Sequence, residues 1–260
     1  MIENDEKIYN VNLIETELIN IKDLDEDFNR RIHKLNMSFS RNILGPLANW
    51  YNSMRNETAH EGLLNFFENL LEPLYVLHNF LQFDLENGFK GTVRFGLNST
   101  VGIAGLYDFG DEVLGWERDE EDMGQTLAVW GVPAGYNIYL PLVGHMSTRE
   151  AVGGVIDIFI DPLNSAWKHW IPSRAKRSAT QMAFWGVKNF LYYSDRIELI
   201  ETVERTSLDS YITFKEYIMR GRIADINDIP VGELVLDSDN FGEDLDSDFD
   251  DMELDDFDIE

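Results

Sequence analysis

The chain has 260 residues, 44% of them hydrophobic and none of them Cys, which suffices for one sizeable core and excludes a disulfide or cysteine–metal framework. Its net charge of −27 argues against nucleic acid, because a phosphate polymer would be repelled with no basic stripe to offset the repulsion. The same charge argues against attachment through anionic headgroups, so any membrane contact must be apolar.

The charge is concentrated at the two ends. Residues 1–27 carry 9 acidic and 2 basic residues, with no apolar stretch that would read as an export signal. Residues 233–260 carry 14 acidic residues and no Lys or Arg, leaving a mildly acidic middle. The expected organisation is an acidic segment over 1–24, a helical domain over 25–222 and an acidic, disordered tail over 223–260. That tail spaces Phe241, Leu245, Phe249, Leu254 and Phe257 among carboxylates, which fits either a solubilising tail or a docking tail for a basic partner.

Asp25, Glu26 and Asp27 place negative charge where a helix N-terminus favours it. Phe28, Ile32, Leu35 and Phe39 then recur at helical spacing. Pro46 suits a first helical position, with Leu47, Trp50, Tyr51 and Met54 on one face. Glu61–Leu71 and Pro73–Phe83 read as two apolar helices split by Pro73. Leu63, Phe66, Phe67, Leu70, Leu74, Leu77, Phe80 and Leu81 are more than one core face can bury, and predict an outward apolar belt.

Between 83 and 116, Gly88, Gly91, Gly96, Gly102, Gly105, Gly110 and Gly115 interrupt apolar sequence. Each costs about 1 kcal/mol in a helix interior. The pattern fits close backbone approach, hinges or thin walls around a cavity, and equally several short helices joined by glycine turns. Tyr136–Leu142 is the best extended candidate, interrupted by Pro141. Ser147 and Glu150 form a capping box for a helix over Thr148–Ile160, ended by Pro162. A long periodic segment covers about Arg174–Thr206, and Ser207-Leu208-Asp209 starts a last helix through Arg220. No run of about 20 uncharged apolar residues predicts a transmembrane helix.

No constellation for bond chemistry emerges. There is no G-x-S-x-G elbow, and His33, His60, His78, His145 and His169 are scattered without metal spacing, each fitting a surface or core-edge role. Asp237–Gly242 imitates the start of an EF-hand loop, but Phe241 occupies the fifth ligand position and Asp248 the twelfth. Asp161-Pro162 reads as ordinary helix termination. No catalytic residue, metal or cofactor is expected.

A series of phrases resembles the VacJ/MlaA family over about Asp25 to Arg222. Phe28-Asn29-Arg30 with Asn36 is similar to the "FNR…N" first helix. Asn65-Phe66-Phe67-Glu68-Asn69-Leu70 with Glu72-Pro73 follows "NFFxNLxEP". Arg94-Phe95, Asn98-Ser99-Thr100-Val101-Gly102 and Gly105 with Asp108 follow "RFxxNSTxGxxGxxD". Asp122-Met123-Gly124-Gln125-Thr126-Leu127 with Trp130-Gly131-Val132 follows "DFGQTLxxWGV", and Tyr139–Leu142 with Gly144 follows "YLPLxGP". Arg149–Gly153 with Asp157 and Asp161-Pro162, and Ser207–Tyr211 with Tyr217 and Arg220, continue the order. His145 stands where the family often has Pro, and the Cys anchor usual in the family is not seen.

The resemblance implies an all-α, ring-shaped domain of amphipathic helices around a narrow channel, lying in the periplasmic leaflet of a Gram-negative outer membrane. It implies a non-enzymatic role: removing mislocalised phospholipid and passing it to a periplasmic lipid-binding shuttle, beside a trimeric porin. The alternatives are a surface protein involved in bacterial spread and a soluble lipid carrier. The motif residues Phe28, Asn29, Arg30, Asn36, Asn65, Phe66, Asn69, Glu72, Pro73, Arg94, Asn98, Gly102, Gly105, Gly124, Gln125, Thr126, Trp130 and Gly131 are the candidates for the lipid path. Among them Arg94 is either a phosphate contact or a salt-bridge partner of Asp or Glu.

Overall fold

The computed structural model describes residues 21–229, so the acidic tail from Glu233 and the EF-hand-like stretch lie outside the described residues. Residues Ile21–Lys215 form one compact unit; Glu216 onward belongs to a second, of which the described part is the end of the last helix.

Helix α1 (Glu26–Phe39) starts at Asp25, whose side chain accepts from the Phe28 amide at 2.9 Å, as the acidic triplet predicts. The chain then makes a π turn over Ser40–Leu44 and continues into α2 (Gly45–Asn52), so Pro46 sits in the first turn of a helix with no break before it. Helix α3 (Glu57–Leu81) is a single helix of 25 residues with Pro73 inside, not the two helices expected. Proline there removes one backbone bond and crowds the carbonyl of Asn69. Tertiary packing outweighs that cost: Phe67, Leu71 and Tyr75 share the core with Leu163, Phe184 and Leu191, and the Phe67 and Phe184 rings meet edge to face at 4.9 Å.

Helix α4 (Leu85–Thr100) is also longer than its glycines suggest. Gly88 and Gly91 lie under Phe80 and Val76 of α3, where an added Cβ would fall within 2.9 Å of a side-chain carbon. Close helix approach is therefore the reason for both. A left-handed turn at Ile103, Ala104 and Gly105 follows, and then α5 (Phe109–Leu114), which ends on left-handed Gly115.

Helix α6 (Met123–Val129) precedes a hairpin of β1 (Asn137–Leu140) and β2 (Gly144–Ser147), paired antiparallel with Tyr139 opposite His145. The second strand is a correction: Gly-His-Met-Ser has no period-2 apolar signal. Helix α7 (Thr148–Ile160) begins at the expected Ser147–Glu150 capping box. Asp161 ends it and caps α8 (Pro162–Trp170), with the Leu163 amide 2.8 Å from its carboxylate. Helices α9 (Arg174–Thr206) and α10 (Ser210–Ile226) complete the described chain. Among the described residues the fold is all-α apart from one hairpin of two four-residue strands and an isolated bridge of Asp23 to Asn137.

The apolar belt is not where the sequence put it. None of the eight residues named around Pro73 is exposed; Phe67 and Leu74 are buried and the rest half-buried, because α4, α8 and α9 cover α3. The exposed apolar faces lie elsewhere. Ile43, Leu47, Trp50 and Met54 recur at helical spacing from the π turn through α2. Leu85, Phe89 and Val93 do the same on α4, and Val152, Val155, Ile158 and Phe159 on α7. Val101, Ile103 and Leu106 project from the left-handed turn. No helix among the described residues is long and apolar enough to cross a membrane.

Candidate functional site

Helix α3 carries polar groups in its buried half: Glu68, Glu72 and Asn79 alternate with apolar core residues. A buried carboxylate is costly unless paired, and both glutamates find cations. Glu72 accepts from Arg94 Nε at 3.2 Å and from Arg118 Nε at 2.9 Å. Arg94 also reaches Asp108 at 2.8 Å and the Trp116 carbonyl, and Arg118 reaches Asp108 at 2.9 Å. Two guanidiniums thus interlock with two carboxylates. Arg94 is 1% exposed, so it is a buried bridge and not a phosphate contact.

Glu68 forms the adjoining half. Lys188 Nζ lies 2.9 Å from it, and the hydroxyls of Tyr75 and Tyr192 donate to its two oxygens. Burial opposes its ionisation, but Lys188 and the two hydroxyls outweigh burial and hold the carboxyl below its usual range. Glu120 behaves oppositely. Water reaches it, yet crowding by protein first and the charge of Glu68 second push its carboxyl up. The result is a polar seam of Glu68, Glu72, Asp108 and Glu120 facing Arg94, Arg118 and Lys188.

The motif residues around Arg94 build this seam. Asn98 donates to Asp108 at 2.9 Å and accepts the Gly110 amide at 3.0 Å. Asn69 donates to Ser99 at 3.0 Å. Gly105, at φ +89°, lies so close that an added Cβ would sit 2.5 Å from that of Asn69. Gly102 leaves room for the carbonyls of Asn98 and Tyr107. Gly110 lies against the Arg94 stem, 2.6 Å from a built Cβ. Asn65 and Phe66 are half-buried on α3, one turn before the seam, with Phe66 packed on the core.

A second group of motif residues lies on α1. Asn29 and Asn36 are two turns apart on one face, and both hold β1. Asn29 accepts the Tyr139 amide at 3.0 Å and donates to the Asn137 carbonyl at 3.2 Å. Asn36 donates to the Leu140 carbonyl at 3.1 Å and accepts the Leu142 amide at 3.0 Å. An amide side chain offers both a donor and an acceptor to an extended backbone, which explains Asn at both positions. His33 lies between them, 3.2 Å from the Tyr139 hydroxyl and 3.0 Å from Ser210. Arg30 pairs with Glu26 and Asp209 and covers the Tyr211 ring at 4.6 Å. Phe28 is exposed.

A third group is on α6. Gly124 crosses Gly153 of α7, where a Cβ on Gly153 would lie 2.5 Å from the Gly124 nitrogen. The Gln125 amide is capped by Asp122 at 2.9 Å. Thr126 meets His78 at 2.9 Å, and His78 meets Asp157 at 2.9 Å. This imitates a hydroxyl–imidazole–carboxylate relay, but Thr126 and His78 are both fully buried, so no substrate reaches them. Exposed Trp130 donates to the Leu81 carbonyl at 3.0 Å, and Gly131 makes the turn after α6 at φ +84°. The sequence placed the histidines at the surface or core edge; His33, His60, His78 and His145 are instead buried, and only His169 is exposed. Burial, then neighbouring His33, lowers His145 to about 3, so it packs as a neutral ring against Tyr139.

The polar motif residues therefore gather in three groups, at the seam on α3, on α1 against β1, and on α6. Sequence reasoning missed Arg118, Lys188, Tyr192 and Glu120. Their signal is weak: Arg118 and Glu120 stand in the charged run Glu117–Asp122, which reads as solvated, and the partners of Arg118 and Tyr192 on α3 lie 46 and 124 residues away.

The described residues thus define an α-helical protein with exposed apolar faces on α2, α4 and α7 and a buried charged seam along α3. The profile of the MlaA lipoprotein family matches residues 21–224, and the chain belongs to that family. It is 28% identical over 225 residues to the intermembrane phospholipid transport system lipoprotein MlaA of Haemophilus influenzae, covering 85% of this chain and 84% of that one. The Escherichia coli protein of the same name is 30% identical over 196 residues, covering 74% and 73%. An uncharacterized protein of Rickettsia prowazekii is 29% identical over 230 residues, with 86% of each chain covered. A solved structure from work on the structural basis for maintenance of bacterial outer membrane lipid asymmetry aligns with TM-score 0.64 and 25% identity, over 79% of this chain and 99% of that one.

Proposed function

We propose that this protein is a phospholipid transport component that maintains lipid asymmetry of a bacterial outer membrane. The observation that carries this reading is membership of the MlaA lipoprotein family across 21–224, with relatives named for intermembrane phospholipid transport. The exposed faces of α2, α4 and α7 support it, since a soluble monomer rarely leaves such apolar surface uncovered. In-plane amphipathic helices bury such faces at the boundary of headgroups and acyl chains. In this reading the helices lie in the periplasmic leaflet around a narrow amphipathic channel, and the seam along α3 supplies its charged wall. Mislocalised phospholipid passes through to a soluble periplasmic shuttle, with a trimeric porin as support. The work is movement and needs no nucleophile or cofactor.

The test is reconstitution of the full chain into vesicles holding headgroup-labelled phospholipid, with a soluble lipid-binding acceptor outside. The labelled lipid is expected to leave the bilayer several-fold faster than from protein-free vesicles. An unchanged rate, with the chain monomeric in buffer without detergent, would contradict the proposal.

A further inference from the structure

Beside the π turn lies a cleft of about 280 Å³, lined by Ser40, Arg41, Ile197, Glu201, Glu204 and Arg205. The polar seam on α3 contributes nothing to it. A Cβ on Gly45 would sit 3.0 Å from the Ser40 carbonyl and 3.5 Å from Ile197 Cδ1, so the π turn is packed tightly on α9 and the cleft walls are fixed. Buried Ile197 makes an apolar floor, and the Ser40 hydroxyl is held 2.6 Å from that of Tyr193. Arg41 pairs with Glu204, while Asn49 donates to Glu201 at 3.0 Å. Among the described residues Arg205 has no carboxylate within ion-pair distance, although Glu201 lies one turn away on the same helix.

We propose that this cleft binds the zwitterionic headgroup of an ethanolamine-type phospholipid. Two guanidiniums and two carboxylates share the lining, so its net charge is zero, and it contains sites for both ends of such a headgroup. Arg205 and Arg41 take the phosphodiester, as planar forks that match phosphate oxygens. Glu201 and Glu204 take the ammonium. A glycerol headgroup offers the phosphate alone and leaves both carboxylates without a cation. The inference rests on the phospholipid reading above and adds a headgroup preference to it.

The experiment incubates the full chain in detergent with vesicles of equal phosphatidylethanolamine and phosphatidylglycerol, repurifies it and measures the retained lipids by mass spectrometry. The wild type is expected to be enriched in phosphatidylethanolamine. Arg205→Gln is expected to lower retention of both lipids about fivefold, the size of one solvent-reached ion pair, since both carry the phosphate that it takes. Glu201→Gln with Glu204→Gln is expected to shift retention toward phosphatidylglycerol. Arg205 is exposed, so its variant keeps the fold and decides the matter even where the double variant does not. Retention of both lipids at the vesicle ratio by wild type, or undiminished retention by Arg205→Gln, overturns the cleft while leaving transport intact. Displacement of the lipid by inorganic phosphate as effectively as by glycerophosphoethanolamine also overturns it, since a simple anion site would do that. Retention of no phospholipid at all sinks the transport reading instead.

Discussion

Replacing Arg94 by Ala is expected to lower the melting temperature by roughly 10 °C. The guanidinium bridges Glu72 and Asp108 inside the protein, and its removal leaves two carboxylates short of a partner where water cannot replace it. Breaking a buried pair from one side costs about 3–5 kcal/mol, and each kcal/mol moves a domain of this size by about 2–4 °C. Arg118 remains against both carboxylates and limits the loss. Arg30→Ala is the matched control. Its pairs with Glu26 and Asp209 are partly exposed and worth less than about 1 kcal/mol. Thermal melts followed by far-UV circular dichroism should separate the two variants clearly; equal melting temperatures would mean that the seam on α3 does not hold the fold.

The second large effect is expected at Gly102. A Cβ there would lie 2.2 Å from the Tyr107 carbonyl and 2.6 Å from that of Asn98, and backbone atoms cannot rotate aside. Gly102→Ala should destabilise by about 3 kcal/mol, the upper end for overpacking, and displace the left-handed turn that carries Val101, Ile103 and Leu106. Gly96→Ala in α4 should do the reverse. Nothing lies within 4 Å of its Cβ, and exchanging Gly for Ala in an exposed helix interior gains about 1 kcal/mol. Urea unfolding midpoints of the two variants should move in opposite directions. A neutral Gly102→Ala would show that the turn yields more easily than its packing implies.

These two glycines mark how far the sequence could be read. Both stand in one apolar, glycine-broken stretch; Gly96 lies on an open face of α4, while the chain folds back just after α4 so that the Asn98 and Tyr107 carbonyls close on Gly102. Signals within one turn of chain were legible. Asp25, the Ser147–Glu150 box and Asp161-Pro162 act where they were read, and α9 runs from Arg174 to Thr206 as its periodicity predicts. Signals set by distant partners were not. Pro73 looks like a break, but packing by Phe184 and Leu191 carries α3 through it. Arg94 offered two readings, and the choice rests on Asp108, 14 residues on, and Glu72, 22 residues back. The apolar surplus was legible as a quantity but not as a place: the residues flanking Pro73 are covered, while α2, α4 and α7 turn theirs outward. The motif asparagines were legible as important positions. Their role as clamps on β1 was not, because it needs the hairpin that Asn29 and Asn36 hold.

The central claim is that the outward apolar faces meet acyl chains. Trp50 tests it directly, since it is 59% exposed on the face shared by Leu47 and Met54. A variant keeping Trp50 as its only tryptophan, reconstituted in vesicles with brominated acyl chains, should lose most of its fluorescence while remaining shielded from aqueous iodide. Fluorescence untouched by bromine and quenched by iodide as freely with vesicles as without them would contradict the account.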